Sequence, residues 1–132
     1  QNLGNTDIAF SPNLVIGNRL AFLPIKGFQI SVLSKFVSEQ YMGNIDSEQS
    51  KLDAYFVNDL NVNYEWKLNK VIKSIVFSGL VNNIFDLEYE SNGYFYTYDD
   101  DWSNPGNVTT VEGTGYYPQA GINFLLGMSL KF

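Results

Sequence analysis

The stretch that most constrains the fold is the last fifteen residues, Pro118 to Phe132, reading PQAGINFLLGMSLKF. Every even position from 120 onward is apolar (Ala120, Ile122, Phe124, Leu126, Met128, Leu130, Phe132), whereas the odd positions carry Gly121, Asn123, Leu125, Gly127, Ser129 and Lys131. Side chains of a strand alternate between its faces, so this segment has one wholly apolar face and one small or polar face. A strand tilted across bilayer hydrocarbon needs about 9–11 residues, while globular strands usually stop at about 5–6. The pattern predicts a long strand with its apolar face toward lipid.

Hydropathy restricts the alternatives. At 132 residues with 45% hydrophobic content, the chain has enough apolar material for one soluble domain, so composition alone leaves soluble and membrane architectures open. No apolar run approaches the roughly 18 residues of a membrane helix, so any span must be made of strands. The 16% aromatic content suits both strands and bilayer interfaces. Cysteine and histidine are both absent. That removes disulfides, thiolate nucleophiles, the usual general base and the usual zinc ligands, and argues against an enzyme. A net charge of -6 argues against nucleic acid, whose binding depends on neutralising phosphates. Residues 1 to 20 lack the charged start and apolar run of a signal peptide, so the chain is expected to begin after one, or much later.

The same alternation recurs upstream and predicts strands over about 13–23, 28–41, 52–66 and 72–85, the terminal strand covering 118–132. Gln1 to Ser11 reads as a loop. Leu14, Ile16, Leu20 and Phe22 share one face of the first strand; Phe28, Ile30, Val32 and Phe36 share one face of the second. In the third, Phe56, Leu60, Val62, Tyr64 and Trp66 oppose Asp53, Asp59, Asn61, Asn63 and Glu65. Carboxylates and amides buried without partners cost several kcal/mol each, about 2–7 for a neutral polar group, so that side must face water. Connections alternate between short (24–27, 67–70) and long (42–51, 86–117), the asymmetry of an outer-membrane barrel. Lys26, Lys67, Lys70, Lys73 and Lys131 gather at the short-turn end, and Asp46, Glu48, Asp86, Glu88, Glu90, Asp99, Asp100, Asp101 and Glu112 lie in the long loops. Phe22, Phe28, Trp66 and Phe132 at one end, with Tyr41, Phe85, Tyr89 and Tyr117 at the other, are placed as two aromatic girdles. The expectation is an all-β, antiparallel transmembrane β-barrel. The smallest such barrels have about eight strands, so five must be completed by a longer polypeptide or another chain.

The succession VNNIFDLEYESNGY (Val81 to Tyr94) followed by GYYPQAGINFLLGMSLKF (Gly115 to Phe132) resembles the carboxyl-terminal end of TonB-dependent outer-membrane receptors, especially those of Bacteroidetes-like bacteria. SKFVSEQYMGN and LDAYFVNDLNVNY are similar to the preceding strands of that family, and the likeness covers about residues 11 to 132. The resemblance implies the last five strands of a barrel of about 22, closed by an amino-terminal plug, in the bacterial outer membrane. It implies uptake of a siderophore, haem, cobalamin or glycan-type ligand energised by TonB, without a cofactor, and a lipoprotein lid is a further candidate partner. Gly127, Leu130 and Phe132 match the family's terminal signal for the barrel-assembly machinery, with Leu125 where a polar residue is usual.

Each of these features also has a plainer explanation. A terminal Phe132 could be an ordinary core aromatic ending a strand. The run Asp99-Asp100-Asp101 could hold Ca²⁺ but lacks the spacing of a calcium loop and reads as solvated. Tyr94, Tyr96, Tyr98 and Trp102 are candidate extracellular ligand contacts; alternate spacing also fits a strand, or packing within the loop. Asp53, Asp59 and Glu65 have no accompanying base or metal ligand and read as lumen-facing residues. A soluble antiparallel barrel or sandwich acting as a binding module would turn Leu60, Tyr64, Phe124 and Met128 inward. A barrel fragment held as an assembly species would have its edge strands paired to other chains.

Overall fold

The computed structural model describes residues 5–68 and 71–132. The start of the predicted Gln1–Ser11 loop, and Asn69 and Lys70 of the second predicted turn, lie outside the described residues. The strands are β1 (Val15–Ile25), β2 (Phe28–Val37), β3 (Gln40–Tyr41), β4 (Lys51–Leu52), β5 (Tyr55–Lys67), β6 (Ser74–Asn82), β7 (Glu90–Asp100), β8 (Thr109–Pro118) and β9 (Asn123–Lys131). The fold is all-β with antiparallel sheets, and the chain divides into two compact units.

One unit comprises Ile16–Phe36, Phe56–Glu88 and Ala120–Phe132 and holds the sheet β1-β2-β5-β6-β9. The turn between β1 and β2 is narrower than expected: β1 continues through Pro24 to Ile25, leaving Lys26 and Gly27. Pro24 stands at the turn end of β1, one residue before its last, Ile25. Gly27 takes a φ of 85°, and a Cβ on it would stand 2.7 Å from the Glu65 carbonyl oxygen, so two constraints select glycine.

Register fixes the two faces. Leu60 lies opposite Val81, Tyr64 opposite Phe77 and Trp66 opposite Ile75; on the other side of β6, Phe77 lies opposite Met128 and Val81 opposite Phe124. These residues share one face, because paired residues project to the same side of a sheet. The reverse face pairs Asn63 with Ser78 and Asn82 with Asn123, and joins Ser74 Oγ to Glu65 Oε1 at 2.9 Å and Lys131 Nζ to the same oxygen at 3.2 Å. Lys67, Ser74 and Lys131 are aligned at one end of the sheet.

The side chains of the apolar face are largely exposed, and β1 and β9 are exposed on both faces, Leu125 at 62% among them. Phe124, Leu126 and Met128 are 74%, 83% and 63% exposed, and Leu20, Phe22, Phe56, Tyr64 and Trp66 are exposed with them. Gly79 opens a dimple of about 440 Å³ in that surface, bordered by Val62, Tyr64, Phe77, Val81 and Leu126. Among the described residues of this unit, the buried side chains are polar: Ser31, Asn58, Ser74 and Asn83. Ser34 Oγ donates to Asn58 Oδ1 at 2.6 Å, making a polar pair within the apolar parity of β2 and β5.

The second unit comprises Gln1–Val15, Val37–Tyr55 and Tyr89–Gln119 and contains the buried hydrophobic residues Val37, Met42, Leu52 and Tyr55. Three expected boundaries change here. The strand expected over 28–41 ends at Val37, where the Ser38 backbone N–H donates to the Leu14 carbonyl at 2.9 Å and Ser38 Oγ accepts from the Leu14 N–H at 3.1 Å. The strand expected over 52–66 is broken at Asp53-Ala54, and Leu52 pairs instead with Gln40 in the short β3-β4 ladder flanking a 3-10 turn. The stretch 86–117, expected as irregular loop, contains the β7-β8 hairpin. Pro118 closes β8, so the last strand begins at Asn123; likewise 72–85 shortens to Ser74–Asn82, followed by a turn through Asn83 and Asp86.

Candidate functional site

The β7-β8 hairpin brings together three of the four aromatic residues singled out in the sequence. Its register sets Tyr94 opposite Gly115, Tyr96 opposite Gly113 and Tyr98 opposite Val111. All six point to one side of the hairpin. The tyrosine rings lie across the neighbouring strand: a Cβ on Gly115 would be 2.3 Å from Cζ of Tyr94, and one on Gly113 would be 2.3 Å from Cζ of Tyr96. Real Cβ contacts do not occur at that distance, so each glycine is the seat of a ring.

The result is a regular row. Tyr94 and Tyr96 have centroids 6.3 Å apart with planes at 16°, and Tyr96 and Tyr98 repeat the step at 6.3 Å and 15°. The period follows from the backbone, since two residues of a strand rise about 6.4–6.8 Å. Tyr117, on the same side, closes the Tyr94 end at 6.1 Å and a tilt of 53°. The rings of the row are exposed.

The opposite side of the hairpin is anchored. Phe95 packs where a Cβ on Gly43 would come within 2.9 Å of its ring, and Met42 Sδ presses on Gly93. Ser47 Oγ donates to Glu112 Oε2 at 2.7 Å. The row therefore stands on a hairpin held from behind by a small core.

Trp102 is not in the row. It stands in the turn between β7 and β8, 90% exposed, with its backbone N–H donating to Asp100 Oδ1 at 3.0 Å. The Ser103 N–H reaches the same oxygen at 3.1 Å. Hydrogen bonding from Ser103, through side chain and backbone, and then from the Trp102 backbone holds the Asp100 carboxyl below its ordinary pKa. Asp99 Oδ1 accepts from Thr110 Oγ1 at 2.8 Å. Two members of the acidic run thus serve the turn, and among the described residues no group of three metal-ligating side chains is assembled. Asn104-Pro105-Gly106-Asn107 completes the connection, with Asn107 N–H on the Asn104 carbonyl at 3.0 Å and Gly106 at φ 95°, the geometry of a type II turn.

The other sequence candidates are spread through the chain. Asp53 lies between β4 and β5, Asp59 accepts from the Asn83 backbone N–H at 2.8 Å, and Glu65 bonds Ser74 and Lys131. Gly127 lies opposite Ser78, whose Oγ would be 2.7 Å from an added Cβ; Leu130 lies opposite Ile75, and Phe132 follows the end of β9, exposed. Sequence reasoning missed Gly113 and Gly115. The signal was there in the matched alternations Tyr-x-Tyr-x-Tyr and Gly-x-Gly, which only a hairpin register connects. Compared with known proteins, the chain matches no family model, no curated protein and no solved structure.

Proposed function

We propose that this chain is the carboxyl-terminal part of the barrel of a TonB-dependent outer-membrane transporter, with β1, β2, β5, β6 and β9 as five adjoining wall strands. In this reading the apolar face meets lipid, the face bearing Asn63, Glu65 and Asn82 lines the lumen, and Gly127, Leu130 and Phe132 form the assembly signal. The rest of the barrel and the plug adjoin the two edges, TonB supplies energy, and the chain is not an enzyme.

The observation that carries the reading is the exposed row Phe124, Leu126, Met128 and Leu130 on β9. Burying one such side chain is worth about 1.5–3 kcal/mol, so leaving all four in water would forgo an amount comparable with a domain's whole net stability of about 5–15 kcal/mol. Lipid removes that cost. Strands of 9 to 13 residues support the same reading, being long enough to cross hydrocarbon at a tilt. A soluble sandwich would turn Leu60, Tyr64, Phe124 and Met128 inward; Tyr64, Phe124 and Met128 are exposed and Leu60 is half-buried.

Fractionation of cells producing the full polypeptide that contains this chain tests the reading. The expected result is recovery in the outer membrane, resistance to alkaline extraction, and a gel mobility that changes on boiling. Recovery in a soluble fraction contradicts it.

A further inference from the structure

We propose that the tyrosine row of the β7-β8 hairpin is a stacking platform for a neutral, linear oligosaccharide. This rests on the transporter reading above and deepens it by choosing among ligand classes.

Shape gives the first argument. The phenol ends of Tyr94 and Tyr96 rest over Gly115 and Gly113, and about half of each residue is left exposed to a ligand. The three planes run within 15–16° of their neighbours in equal steps of 6.3 Å. A row of flat, evenly spaced faces fits a chain of repeated saturated rings, each presenting C–H groups to an aromatic face while its hydroxyls meet the phenol oxygens. A single bulky macrocycle would not use the repeat. Rigid aromatics with one polar tip bind this way at low entropic cost.

Charge gives the second. From Glu90 to Gln119 the chain carries Glu90, Asp99, Asp100, Asp101 and Glu112 and neither Lys nor Arg. In the same unit, the Lys51 ammonium is committed to Glu39 at 2.8 Å. An anionic ligand would meet like charge with no cation to pair it, which penalises carboxylate or catecholate chelates, the propionates of haem, and uronate or sulfated glycans. A neutral glycan meets no such penalty.

The test uses the full polypeptide in detergent micelles, titrated by calorimetry with neutral hexasaccharides (maltohexaose, cellohexaose, xylohexaose, mannohexaose) and with a uronate hexamer. At least one neutral hexamer should bind and the uronate should not. Tyr96→Ala should weaken binding about five- to hundred-fold, the range for losing one stacked ring, whereas Tyr96→Phe should stay within a few-fold of wild type. Boiling-dependent mobility, unchanged in both variants, certifies the fold. No binding by any neutral hexamer, equal binding of the uronate, or affinity indifferent to Tyr96→Ala overturns the proposal. Fractionation separates the two failures: an outer-membrane protein that ignores glycans refutes only the platform, and a soluble protein that binds them refutes only the transporter.

Discussion

Asn83 donates from Nδ2 to the carbonyl oxygen of Ala120 at 3.3 Å, joining the two ends of the excursion that contains β7 and β8. The same nitrogen reaches the Leu87 carbonyl at 2.9 Å, while Asn83 Oδ1 accepts from the Leu87 N–H at 2.9 Å. Asn83 has a φ of 51°, as does Asp86, whose Oδ1 accepts from the Ile122 N–H at 2.7 Å. Asparagine and aspartate tolerate this left-handed backbone better than other non-glycine residues. Asn83→Ala is therefore expected to destabilise by about 2–4 kcal/mol, combining the unfavourable φ with buried amide partners left unpaired. Asn83→Gly relieves only the backbone strain and should recover about 1 kcal/mol of that. Urea unfolding of the three proteins in micelles measures both.

A ring seated on a glycine predicts coupling. Gly115→Ala places a methyl group 2.3 Å from Cζ of Tyr94 and should cost about 1–3 kcal/mol, because the ring must leave its seat. In a Tyr94→Ala background the same change should cost less than about 0.5 kcal/mol, as expected for an uncrowded position. A double-mutant cycle on unfolding free energy reads the difference as the interaction.

The turn after β7 should loosen in acid. The carboxyl of Asp100 is held below its ordinary pKa by Ser103 and Trp102, so the unfolded turn binds the proton more readily than the folded one. Its stabilisation is complete above the ordinary aspartate pKa of 3.8 and disappears as pH falls through the lowered folded value. Amide exchange at Trp102 and Ser103 should accelerate across that window once corrected for intrinsic rates. In Asp100→Asn the corrected exchange should be fast throughout, with no acid step.

The sheet was legible because period-two alternation survives wherever the two faces meet different surroundings, and β5, β6 and β9 each keep it. Strand ends were less legible. Alternation runs on through Ser38 and Asp53, and what stops the strands is hydrogen bonding to distant partners such as Leu14 and Gln40, which spacing cannot reveal. In the sequence the hairpin looks like loop because Gly93, Gly113, Gly115 and the Asn-Pro-Gly turn lower strand propensity. Two of those glycines are the seats that make the tyrosine row, so the residues that concealed the strands also build the candidate site.

Leu125 and Leu126 offer the sharpest comparison, being the same residue type on successive positions of β9, opposite Leu80 and Gly79 respectively. The chain itself has no cysteine, so once any cysteine elsewhere in the full polypeptide is replaced, Leu125→Cys and Leu126→Cys each carry a single spin label. With the full polypeptide in bilayers, relaxation by oxygen, which partitions into lipid, is compared with relaxation by a water-soluble nickel chelate. The account predicts a clearly higher oxygen-to-nickel ratio at 126 than at 125; equal ratios, or the reverse order, would contradict it.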